Sequence, residues 1–89
     1  MRAMITIHLD TRHREEISTL IPQEQEHVRT LLRKGTLESM YMSSDRSRLW
    51  LVMKGESVEQ IQQELSAFPL YPFMKPDFVP LIELQGPAQ

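Results

Sequence analysis

Residues 57–74 read SVEQIQQELSAFPLYPFM. Ser57, with Gln60 three residues on, has the form of a capping box, in which side chains satisfy the first free amides of a helix. Val58, Ile61, Leu65 and Phe68 then recur at helical spacing and form one apolar stripe. Pro69 ends the helix, because a proline ring disfavours helical backbone at the residue before it. The overlapping stretch 68–80, FPLYPFMKPDFVP, holds four of the chain's six prolines and four of its six aromatics. Apolar and aromatic side chains fill the gaps between these prolines, which argues against a solvated polyproline ligand. Phe68, Leu70, Tyr71, Phe73 and Met74 each gain about 1.5–3 kcal/mol from full burial. The stretch is therefore read as an ordered bridge between two regular elements, with Tyr71 and Phe73 as candidates for a pocket mouth.

Beyond the bridge, residues 77–84 (DFVPLIEL) are expected to form a last strand. Pro80 marks it as an edge strand, since a central strand would lose a ladder hydrogen bond there. The final residues, 85–89 (QGPAQ), read as a flexible tail. Upstream, two strands are expected near 36–43 and 47–54, joined by the polar turn SSDR at 43–46. On the second of these, Arg48, Trp50 and Val52 oppose Leu49, Leu51 and Met53.

A helical period runs from about 15 to 34, through Ile17, Leu20, Ile21, Val28, Leu31 and Leu32. Pro22 either opens a second helical piece or kinks a single helix. Arg33, Lys34 and Gly35 make a fitting end, with cations in the last turn followed by a residue free to turn left-handed. Residues 3–9, AMITIHL, read as a strand with Ile5, Ile7 and Leu9 on one face and Met4, Thr6 and His8 on the other.

The order is β-α-β-β-α-β. It predicts an α+β, ferredoxin-like domain over residues 1–84, a four-stranded antiparallel sheet with two helices on one face. The other face would carry Met4, His8, Trp50 and Tyr41, which on so small a domain predicts pairing through the sheet. A chain of 89 residues buries only about 60–65% of the surface it exposes when unfolded, so a covering subunit would add to a thin core.

Composition narrows the function. The formal net charge is −2, and the only basic cluster is the short Arg12-His13-Arg14, so nucleic acid is not expected as a partner. The absence of cysteine excludes disulfides and thiolate chemistry. No signal peptide and no apolar run of membrane-spanning length is visible, which sets the expectation of a cytoplasmic protein without a membrane partner. Three scattered histidines offer no metal site, and the six methionines read as core and interface fillers.

The stretch 57–74 resembles the muconolactone isomerase family. In that family the second helix runs into a Pro-Leu-aromatic-Pro-aromatic-Met segment, here Pro69, Leu70, Tyr71, Pro72, Phe73 and Met74. The likeness continues back through Gly35-Thr36 and, more loosely, to Ile5–Leu9. It implies a dimeric α+β barrel of two ferredoxin-like subunits packed sheet to sheet, often assembled into larger rings. It also implies a cofactor-free isomerase of aromatic-compound catabolism, in the β-ketoadipate route, acting on a small lactone acid. Dimeric α+β barrels also host cofactor-free monooxygenases, and a non-catalytic ligand-binding or assembly protein is a further alternative.

A proton shift beside a carbonyl needs a base, a donor or cation for the enolate oxygen, and a pocket that excludes water. His8 is the first candidate base, since its ordinary pKa suits proton transfer at neutral pH; the alternative is a histidine hydrogen-bonded at an interface or exposed at the strand's end. Glu24 is the second. It falls in the apolar stripe of the first helix, where burial would raise its pKa; the alternative is a first-turn glutamate favoured by the helix dipole. His27 reads as packing at the border of the stripe. Arg48 is a candidate to bind a substrate carboxylate, or to pair with Asp45 or Glu38. Ser39 and Tyr41 are candidate hydrogen-bond donors, and Trp50 with Tyr41 would otherwise pack an interface.

Overall fold

The computed structural model describes residues 1–84. The expected tail at 85–89 lies outside the described residues. Strand β1 (Arg2–Leu9) leads through a single 3-10 turn (Thr11–His13) into helix α1 (Arg14–Lys34). Strands β2 (Leu37–Met42) and β3 (Arg48–Lys54) form a hairpin, followed by helix α2 (Val58–Ser66). A second 3-10 turn (Tyr71–Phe73) leads to strand β4 (Met74–Leu81). The sheet order is β2-β3-β1-β4 and every neighbouring pair is antiparallel, the ferredoxin-like arrangement expected.

Strand parity builds the core. Ile5 pairs with Leu51, Ile7 with Leu49 and Ala3 with Met53, and all six are buried on the face that meets the helices. Leu31 of α1, Ile61 and Leu65 of α2, and Phe68, Leu70 and Met74 of the bridge close over them. Each large side chain in this set contributes on the order of 1.5–3 kcal/mol of transfer free energy.

The helix ends follow their side chains. The Ser57 hydroxyl accepts from the Gln60 amide at 3.1 Å. The Gln60 side chain reaches back to the amide of Glu56, one residue further than the expected capping box requires. Gly35 closes α1 at φ 80, with its N–H on the Leu32 carbonyl at 3.2 Å. Pro22 sits inside a helix that is continuous from Arg14 to Lys34, so it does not open a second piece. Its missing N–H leaves one carbonyl of the preceding turn without a helical partner.

Two features differ from expectation. A register shift between Leu37 and Ser39 lets Leu37 point into the core opposite Met53 while Ser39 and Tyr41 stand on the open face opposite Val52 and Trp50. Strand β4 begins at Met74, three residues before the expected start, and Ile82 to Leu84 lie beyond its end. The reason is the bridge. Phe73 N–H bonds the Leu70 carbonyl, and Asp10 N–H bonds the Phe73 carbonyl, both at 2.9 Å, which lays Met74 beside Leu9 at once. Pro76 and Pro80 lie within β4, as an edge position permits. Among the described residues no helix is long and apolar enough to cross a membrane.

Candidate functional site

A cleft of about 700 Å³ opens between α1 and the β2–β3 hairpin, on the helix side of the sheet. This is a size typical of small-molecule sites. Ile17, Ile21 and Val28 of α1 face Met40 and Leu49 of the hairpin and give it apolar walls. Leu70 of the bridge also borders it. Three arginines, Arg14, Arg29 and Arg46, also line it, together with Asp45 and Glu24.

Glu24 is 5% exposed, the one buried charged residue among those described. It belongs to the same helical face as Ile17, Ile21 and Val28, so helix periodicity alone turns it inward. Its Oε1 accepts from the backbone N–H of Leu70 at 3.2 Å. Its Oε2 is buried with no protein partner. Burial pushes the Glu24 carboxyl above its ordinary pKa, and the Leu70 N–H opposes that rise by favouring the ionised form.

His8 occupies the opposite side of the sheet. It is exposed, pairing in register with Arg48 on β3 and Lys75 on β4. His8 and Glu24, both expected as bases, are therefore not brought together, because the sheet lies between them. The parity that turns Ile5 and Ile7 toward the helices necessarily turns His8 away. Ser39, Tyr41, Arg48 and Trp50 share that open face. Tyr71 is exposed, and Phe73 packs its ring 5.4 Å from that of His13, so neither lines the cleft. His27 meets Phe68 edge-on at 4.7 Å, and its Nε2 is buried without a partner. It packs as expected at the border of the stripe and is not among the cleft residues.

Arg14 and Arg46 are cleft residues that the pattern of apolar positions does not single out. Arg14 was nevertheless open to detection, since it precedes Ile17, Ile21 and Glu24 on one helical face at spacings of three, four and three. Arg46 carries no such signal, because its place depends on the fold of the hairpin turn. Among the described residues, no group of three histidines or carboxylates is arranged to hold a metal ion.

Comparison with known proteins places this geometry in context. A family model described as muconolactone delta-isomerase matches residues 1–85. The crystal structure of a muconolactone isomerase superposes with a TM-score of 0.80, covering 100% of both chains at 19% sequence identity. At that identity the likeness establishes a shared fold. No curated protein sequence matches the chain.

Proposed function

Since the chain belongs to the muconolactone delta-isomerase family, we propose that it is a cofactor-free isomerase that moves a proton within a small lactone acid, with Glu24 as the base. The observation that carries this reading is the state of the Glu24 carboxylate: one oxygen held by Leu70, the other buried and unpartnered, on a side chain lining an apolar cleft.

The chemistry asks little more. In an unsaturated lactone such as muconolactone, the base takes the proton from the ring carbon that bears the acid arm. The electron pair spreads through the double bond onto the lactone carbonyl. The same carboxyl then returns the proton to the carbon beside that carbonyl, and the double bond has moved by one position. No atom or electron is gained or lost, so one carboxyl can both take and return the proton. Its raised pKa strengthens it as a base, while the Leu70 N–H keeps the ionised form accessible. Apolar walls limit the access of water and so protect the lactone ring and the dienolate from side reactions.

The open sheet face is proposed to pair with a second copy of the chain. Met4, Trp50, Val52 and Val79 form a contiguous apolar strip there, with Tyr41 68% exposed at its edge. In this reading His8, Ser39, Tyr41, Arg48 and Trp50 serve the interface and not the cleft, and a larger ring would be built from such dimers. The setting is aromatic-compound catabolism.

The test is direct. Purified protein is mixed with muconolactone and the shift of the double bond is followed by ultraviolet absorbance. Turnover that falls by about 100-fold or more in Glu24→Gln supports the proposal. Absence of turnover, or turnover indifferent to Glu24→Gln, overturns it.

A further inference from the structure

Resting on that reading of the cleft, we propose that Arg46 and Arg14 bind the substrate's carboxylate, so that the site selects lactones with an acid arm over neutral lactones. Of the chain's seven arginines, Arg2 is paired with Glu38, Arg12 with Asp10 and Arg29 with Glu26, while Arg33 and Arg48 are not among the cleft residues. Arg14 and Arg46 have no acidic partner within 4.0 Å among the described residues, and both line the cleft. Two guanidinium groups without an ion-pair partner, bordering a largely apolar cavity, are matched in charge and hydrogen-bonding shape to a carboxylate.

The hairpin turn fixes the backbone of Arg46. Arg46 has φ 64, the one non-glycine residue with positive φ among those described. Glycine or asparagine takes that conformation at less cost, so an arginine here asks for a reason. Its own N–H bonds the Ser43 carbonyl at 2.9 Å. The neighbouring carboxylate of Asp45 would be its natural ion-pair partner. Instead Oδ1 of Asp45 is engaged by the Ser43 hydroxyl at 2.7 Å, the Ser47 amide at 3.0 Å and the Ser47 hydroxyl at 2.7 Å. The turn thus shapes itself around Asp45, and Arg46 forms no ion pair with it within 4.0 Å.

Arg14 precedes Glu24 by ten residues on α1, about 15 Å along the helix axis. A small ring next to Glu24 can direct its acid arm toward the arginines, whose long side chains cover the rest of that interval.

The experiment compares binding of the saturated, non-isomerisable analogue of muconolactone with that of its methyl ester, by calorimetry. The wild type is expected to prefer the acid by about tenfold or more. Arg46→Gly and Arg14→Gln should each remove most of that preference. Arg46→Gly should do so with an unchanged or higher Tm, because relief of left-handed strain offsets the extra freedom of the unfolded chain. In turnover, both variants should raise KM more than they lower kcat. Glu24→Gln should keep the preference while losing turnover, which separates this proposal from the assignment of the base. An acid preference dependent on Arg46 in a protein without isomerase activity would sustain the arginine site and reject the reaction. Equal acid-to-ester ratios in wild type and both arginine variants, or no binding of the acid by the wild type, would reject the arginine site.

Discussion

The backbone N–H of Leu70 donates to Oε1 of Glu24 across a separation of 46 residues. This bond joins the proline-rich bridge to the candidate base. Pro69 brings no N–H of its own, and the amides of Tyr71 and Phe73 are spent on the carbonyls of Phe68 and Leu70. The Leu70 amide is left to hold one carboxylate oxygen while the other stays free.

The first prediction concerns the rate. If ionised Glu24 takes the proton, kcat/KM should rise with pH along a limb whose midpoint lies above the ordinary glutamate value of 4.5. Glu24→Asp should retract the carboxylate from the Leu70 amide and from the substrate, and lower kcat by about 10-fold or more. A pH–rate profile of the wild type tests the first point. A flat profile from pH 4 to 8 would remove Glu24 as the titrating base.

A second prediction concerns stability. The folded-state pKa of Glu24 is raised, so between the unfolded and folded values the native state holds the extra proton. Its favourable contribution is complete below the unfolded value and is lost as pH rises through the folded one. Glu24→Gln carries no such titration. Its Tm should therefore gain on that of the wild type as pH rises above about 4.5, and the difference should level off at neutral pH. Thermal melts across pH would show a constant difference if Glu24 were solvated.

The hairpin turn should respond in the opposite sense. Hydrogen bonds from Ser43 and Ser47 hold Asp45 down at about 2, against an ordinary value of 3.8. Its stabilising contribution is present above 3.8 and fades as pH falls toward about 2. Asp45→Asn should melt below the wild type at neutral pH, and the gap should close in acid. The same variant should weaken the preference for acid over ester, because the turn that presents Arg46 is loosened.

A fourth prediction concerns the open sheet face. Trp50→Glu places a charge in the centre of the apolar strip, opposite Thr6 and Tyr41. Light scattering should give a dimer or a multiple of it for the wild type and 10.5 kDa, the mass of one chain, for the variant. Its far-ultraviolet circular dichroism should be unchanged, since Trp50 faces away from the helices. A wild type of 10.5 kDa would refute pairing through this face.

Much of the fold can be read from local stereochemistry. Alternation along β1 is a property of any strand, so Ile5 and Ile7 inward and His8 outward follow from position alone. The Ser57 cap, the Gly35 stop and the edge position of a strand containing Pro80 are likewise set by one or two residues and their backbone needs. Glu24 was visible for the same reason, as a carboxylate at an inward position of an amphipathic helix.

The remainder was settled when the elements docked. Which sheet face carries the cleft depends on how α1 stands off the β2–β3 hairpin, and that places His8 and Arg48 away from it. The three-residue advance of β4 depends on hydrogen bonds from the bridge to Asp10 and within itself. The Leu70 amide reaches Glu24, and Arg46 reaches the cleft, only because segments distant in sequence are packed together. Short-range rules determine which way a side chain points from its own strand or helix. They carry no information about what it will meet there, and the chemistry of this chain lies in those meetings.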